Sequence, residues 1–185
     1  MLLSRPEASV LEYIMTGTTR LREKRTLIKL FALDVDGTLT DGGVYMDGKG
    51  REFKRFDIQD GYGIRELIES GVKVFFISGR FSEATQQRAD DLRITGCING
   101  TKDKLSDLKE LAESFKIQRE EVAFAGDDIP DIKCIEWAGL GIAVANAASE
   151  VLNSADWKTE RSGGFGAIRE CAEHIIGING GKSEK

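Results

Sequence analysis

Asp34 and Asp36 stand two residues apart at the end of a short apolar run, in the stretch FALDVDGTLTDGG from Phe31 to Gly43. Side chains at i and i+2 of a strand point to the same side, and Gly37 lets the backbone bend away at once. Two acids at the mouth of a sheet suit a carboxylate nucleophile, an acid/base partner and a divalent cation. Three more polar clusters follow in order: Ser78-Gly79-Arg80 after VKVFFIS, Lys104 in TKDKL, and Asp127-Asp128 after EVAFAG. Taken singly, each has a plain structural reading as a turn, a surface lysine at a helix start, or a helix N-cap favoured by the dipole. Together they supply the parts for phosphoryl transfer. Asp34 can attack phosphorus in line, while Ser78, Lys104 and the amides after Asp36 neutralise the phosphoryl oxygens. Asp34, a carbonyl at Asp36 and Asp127 offer hard oxygens to Mg²⁺. Asp36 is placed to protonate a leaving alcohol and then to activate water.

The elements that must position these groups can be read from the pattern of apolar residues. Ile28 to Val35, Val72 to Ser78, Ile94 to Gly100, Glu121 to Gly126 and Leu140 to Val144 are short apolar runs, as expected of buried parallel strands. Ala155 to Thr159 fits an edge strand. Asp47-Gly48 between VYM and EFKRF predicts a β-hairpin over Gly42 to Phe56. Helices are expected from Asp60-Gly61 to Gly71, from a Ser82 cap to about Leu92, and over Asp103 to Phe115. Others are expected over Ile129 to Ala138, with Pro130 in the first turn, over Ala147 to Asn153, and from the glycine-rich SGGFG loop to about Ile176. Alternating strands and helices predict one α/β domain, a Rossmann-like three-layer sandwich around a central parallel sheet. The active site then lies beyond the carboxyl ends of the strands. Residues 1–25 read as a partly flexible extension, 26–178 as the catalytic domain and 179–185 as a disordered tail.

Composition narrows the class further. The chain has 185 residues, 41% hydrophobic and 31% charged, with a net charge of −5. That balance argues against nucleic acid or an anionic membrane surface as a partner. No apolar run is long enough to span a membrane, and the N-terminus lacks the order of a signal peptide. Cys97, Cys134 and Cys171 are far apart and odd in number, which argues against a disulfide framework or zinc and for a reducing, cytoplasmic setting. His174 is the only histidine, so a histidine-based metal cluster is excluded. Gly43 to Lys49 fits the first positions of a P-loop, but Gly50 stands where Ser or Thr is required and the stretch reads as a hairpin.

DVDGT, a serine at a strand end, a lysine and GDD, in this order, resemble the haloacid dehalogenase superfamily of phosphatases. The resemblance implies Asp34 as nucleophile, Asp36 as acid/base and Ser78 and Lys104 as phosphate ligands. It implies Asp34, Asp36 and Asp127 as Mg²⁺ ligands, with Asp128 and Asp131 as supporting acids, and Ser78, Gly79, Arg80, Lys104 and Asp60 as the substrate-binding set. The longer stretch DVDGTLTDGGVYMDGKGREFKRFDIQDGYGI, with SGR, TKDKL, GDDIPD and GGFGAIRE, is similar to the 3-deoxy-D-manno-octulosonate 8-phosphate phosphatases and their sialic-acid-type relatives. This narrower resemblance covers about residues 28 to 173 and implies Mg²⁺-dependent hydrolysis of a sugar-acid phosphate in lipopolysaccharide biosynthesis. Phe165 stands where such relatives often have arginine, so a nine-carbon neuraminate-type 9-phosphate is an alternative substrate. A non-catalytic oligomerisation module is the alternative outside enzymology. Arg80, Lys54, Arg55, Arg65 and Arg169 can each meet a substrate carboxylate or stand as solvated charge.

The segments between Asp41 and Ser78 and between Lys104 and Asp127 are each shorter than the ~50 residues of a small domain. A capless, open site is therefore expected. The hairpin is too small to be stable alone and carries Val44, Met46, Phe53 and Phe56. These need a partner surface, which predicts a homo-oligomer with a neighbouring subunit partly covering the site. The resemblance points to a homotetramer.

Overall fold

A computed structural model describes residues 26–180. The extension at 1–25, with the helical face expected at Leu11, Ile14 and Met15, lies outside the described residues, as does 181–185. Six strands form one parallel sheet: β1 (Leu30–Leu33), β4 (Lys73–Ser78), β5 (Gly96–Asn99), β6 (Val122–Gly126), β7 (Leu140–Ala143) and β8 (Trp157–Lys158). Their spatial order is β5-β4-β1-β6-β7-β8. β1 is central, with Leu33 in register between Phe76 and Ala125. Its four residues are buried, as a strand covered on both faces requires.

Alternation along β1 divides the core in two. Phe31 and Leu33 face one layer with helices α1 (Ile58–Glu69), α2 (Glu83–Leu92) and α6 (Ala167–Gly180), through Ile64, Leu67, Leu92, Ile168 and Ile175. Leu30 and Ala32 face the other, with α3 (Lys104–Ser114), α4 (Ile132–Trp137) and α5 (Ser149–Ser154), through Leu108, Ile135 and Val151. The expected three-layer sandwich is thus the observed one. The small sheet β2 (Tyr45–Met46) and β3 (Glu52–Phe53) is the expected hairpin. Asp47 Oδ1 closes its turn by accepting from the amides of Lys49 and Arg51 at 2.7 and 3.0 Å.

Two boundaries differ from expectation. α1 begins at Ile58, because Asp57 rather than a later acid caps it, accepting from the Gln59 amide at 2.7 Å. Ser82 sits at the N-cap of α2, but its hydroxyl makes no capping bond. The tail expected from residue 179 is ordered helix at Asn179 and Gly180. The Asn179 amide accepts from Ile28 N and donates to Ile28 O, both at 2.8 Å, which ties the end of α6 to the entry of β1. The three cysteines are free thiols, and His174 stacks on Trp157 at a centroid distance of 4.1 Å. Among the described residues no helix is long and apolar enough to cross a membrane.

Candidate active site

Parallel strands end together, so the turns after β1, β4 and β6 meet at one edge of the sheet. Asp34 follows β1 directly, and its amide donates to Ala125 O at 2.9 Å. Its side chain is buried. Lys104 opens α3, which Asp103 caps by accepting from the Ser106 amide at 3.1 Å. From there Lys104 Nζ reaches 2.6 Å from Asp34 Oδ1 and 2.7 Å from Asp131 Oδ1. Asp131 Oδ2 accepts from the amides of Asp127 and Asp128 at 3.1 and 3.2 Å, fixing the turn that follows β6. Asp127 Oδ1 accepts from the Thr38 hydroxyl at 2.8 Å, which joins this turn to the one after β1.

Asp34, Asp127 and Asp131 each offer one oxygen within 4.8 Å of the others. Three carboxylates thus face one ammonium. Burial first, and then the Asp131 charge, push the Asp34 carboxyl up to about 8 against the pull of Lys104. Burial likewise pushes Asp127 up to about 6, opposed by the Thr38 hydrogen bond and aided by Asp131. Burial works against the Lys104 ammonium, but Asp34 and Asp131 hold its pKa above the usual lysine value. Such a donor set, all hard oxygen and carrying more negative charge than Lys104 neutralises, fits a divalent cation of the Mg²⁺ type.

The expected residues do not all converge as the sequence suggests. Gly79 is beside Lys104: a Cβ built on it would lie 3.7 Å from Lys104 Cε. Ser78 is buried at the end of β4, where its hydroxyl donates to Arg80 O at 2.9 Å. The Arg80 guanidinium pairs with Glu52 on the hairpin. The Asp36 carboxylate is outside the acid cluster and pairs instead with Lys54, so any metal contact from Asp36 falls to its carbonyl. Asp128 caps the 3₁₀ turn before α4. Asp60 is corrected outright: it is fully buried, and its carboxylate accepts from Gly166 N at 3.3 Å and Arg169 N at 2.9 Å at the start of α6. It anchors that helix and offers no oxygen to a substrate.

Sequence reasoning missed Asn146 and named Arg55 only as one of several cations. Asn146 donates to Gly37 O at 3.0 Å and accepts from Gly163 N at 2.6 Å, clamping the glycine-rich loop onto the turn after β1. Arg55 stacks 4.5 Å over Phe165 and donates to Gly164 O. Neither has a local signal, because Asn146 to Gly37 and Arg55 to Gly164 each span 109 residues. Lys54 was visible only as one of several cations.

A family profile described as haloacid dehalogenase-like hydrolase matches residues 98–166. The 3-deoxy-D-manno-octulosonate 8-phosphate phosphatase of Yersinia pestis is 42% identical over 149 residues, 80% of each chain. The chain belongs to the 3-deoxy-D-manno-octulosonate 8-phosphate phosphatase family. It is thus a haloacid dehalogenase-like phosphatase. The family member from Moraxella catarrhalis, solved with magnesium, phosphate and a KDO molecule, is 40% identical, with a TM-score of 0.82 over 84% of this chain and 90% of that one. The cobalt-bound family member from Haemophilus influenzae is 34% identical, with a TM-score of 0.81 over 85% and 92%.

Proposed function

We propose that this phosphatase hydrolyses 3-deoxy-D-manno-octulosonate 8-phosphate to the free sugar acid and phosphate, with Asp34 as nucleophile. The 2.6 Å contact between Lys104 and Asp34, within a cluster of oxygens suited to Mg²⁺, carries the reading. The Moraxella relative, solved with magnesium, phosphate and KDO, supports both metal and substrate class.

In the first step an Asp34 oxygen bonds to phosphorus as the ester P–O bond breaks, and the proton of the Asp36 carboxyl passes to the departing alkoxide. In the second, Asp36 takes a proton from water, whose oxygen bonds to phosphorus as the Asp34–phosphorus bond breaks. Lys104, Ser78 and the amides after Asp36 stabilise the charge on the phosphoryl oxygens. Mg²⁺, held by Asp34, Asp127 and the Asp36 carbonyl, supplies further neutralising charge when bound. Arg80, which pairs with Glu52, is one substrate contact, a cation for the sugar-acid carboxylate. The intact acid and lysine set disfavours a non-catalytic module.

Val44, Met46 and Phe53 on the hairpin are exposed, which supports a homotetramer in which hairpins pack together and a neighbour covers the open site. Free cysteines support a cytoplasmic setting. The test is a kinetic panel with Mg²⁺: 3-deoxy-D-manno-octulosonate 8-phosphate, a nine-carbon neuraminate-type 9-phosphate and ordinary hexose phosphates. Preference for the eight-carbon ester, abolished by Asp34→Asn, is expected. Equal rates across the panel would remove the substrate assignment, and full activity in Asp34→Asn would remove the mechanism.

A further inference from the structure

Each of the two acids in DVDGT has its own buried lysine. Asp34 pairs with Lys104, which Asp131 also holds. Asp36 pairs through Oδ1 with Lys54, whose Nζ also lies 3.1 Å from Glu52 Oε1. The Lys54 side chain is only 2% exposed, although it comes from a hairpin whose apolar residues face outward. A lysine is buried so fully only when paired, and here the pairing leads to one place. Glu52 holds Arg80 through its other oxygen. A chain of charges therefore runs from Asp36 through Lys54 and Glu52 to Arg80, linking the turn after β1 to the turn after β4 by way of the hairpin.

We infer that Lys54 is the positioning residue for Asp36, with Glu52 as its anchor. The inference rests on the phosphatase reading above. An acid/base must come within about 2.6–3.2 Å of the oxygen it serves, and an aspartate on a bend has several staggered rotamers to choose from. Lys54 holds Oδ1, and Oδ2 has no partner among the described residues. One oxygen fixes the carboxylate while the other carries the proton to the departing alkoxide. Lys54 itself exchanges no proton. The hairpin is then part of the catalytic apparatus as well as an interface.

The experiment compares kcat/KM, which reports steps up to the first P–O cleavage, on two esters. Nitrophenolate leaves with little help from a proton, whereas a sugar alkoxide needs one. Lys54→Met is expected to lose about 10²-fold on 3-deoxy-D-manno-octulosonate 8-phosphate and less than about tenfold on p-nitrophenyl phosphate. Lys54→Arg should recover part of the loss. Glu52→Gln, which keeps the lysine, should show the same selectivity at smaller amplitude, and it reports even where Lys54→Met fails to fold. Adding Lys54→Met to Asp36→Asn should cost nothing further, since both act through one group. Equal losses on the two esters, no loss, or additive losses in the double variant overturn the inference. A wild-type enzyme inactive on both esters would instead overturn the phosphatase reading.

Discussion

Lys104 Nζ lies 2.6 Å from Asp34 Oδ1, joining the first residue of α3 to the residue after β1 across the mouth of the sheet. This contact pulls against the burial and the Asp131 charge that push the Asp34 carboxyl up to about 8. Lys104→Met should therefore lower kcat on any phosphate ester by about 10²–10³-fold, through loss of a charge aimed at the phosphoryl group. Removing one partner from a buried pair also destabilises by about 3–5 kcal/mol. Steady-state kinetics with a urea titration of the same variant check both outcomes.

Metal removal should change how stability depends on pH. The Asp34 and Asp127 carboxyls are pushed up to about 8 and about 6 in the folded chain, above the ordinary value near 4. Between these limits the folded state holds protons that the unfolded state has released. The metal-free protein should therefore lose stability as pH rises from about 4 to about 8 and level off above that. Mg²⁺ binds the ionised carboxylates, so its stabilising effect should grow over the same range. Thermal melts in EDTA and in Mg²⁺ at several pH values test this, and a metal-free protein that gains stability across the interval would contradict it.

Gly163 of the glycine-rich loop sits on the turn after β1 with no room for a side chain. A Cβ on Gly163 would lie 1.9 Å from Gly37 O. Gly163→Ala must push the loop away, pulling its amide from Asn146. Asn146→Ala leaves Gly37 O and Gly163 N without that amide and should cost about 1–3 kcal/mol. Both variants should also weaken Mg²⁺ affinity, because Gly37 and Thr38 abut Asp127. Calorimetric Mg²⁺ titration with a thermal melt of each variant separates the two effects.

Val44, Tyr45, Met46 and Phe53 are each about half exposed or more on a hairpin of two-residue strands, a unit that needs a partner to be stable. Size-exclusion chromatography with light scattering should give a homotetramer. Met46→Asp with Phe53→Asp should give smaller species with reduced activity on the sugar-acid phosphate. A clean wild-type monomer would contradict the tetramer.

Much of this protein is legible in its chain. Period and composition mark out all six strands of the sheet, the inner ones because buried parallel strands must be apolar on both faces. The order Asp34, Ser78, Lys104, Asp127 names the chemistry, because the ends of parallel strands share one edge. What the chain could not show is which of its charges meet. Asp60 reads as a helix-opening acid near the site, yet burial and the backbone amides of Gly166 and Arg169 claim it. Lys54 reads as one cation among several, yet it is the partner of Asp36. Asn146 carries no signal at all until the fold places it between Gly37 and Gly163. Local propensity acts over a few residues, whereas a hydrogen bond or an ion pair depends on where two distant backbones come to rest, and that is decided only when the two cores close around β1.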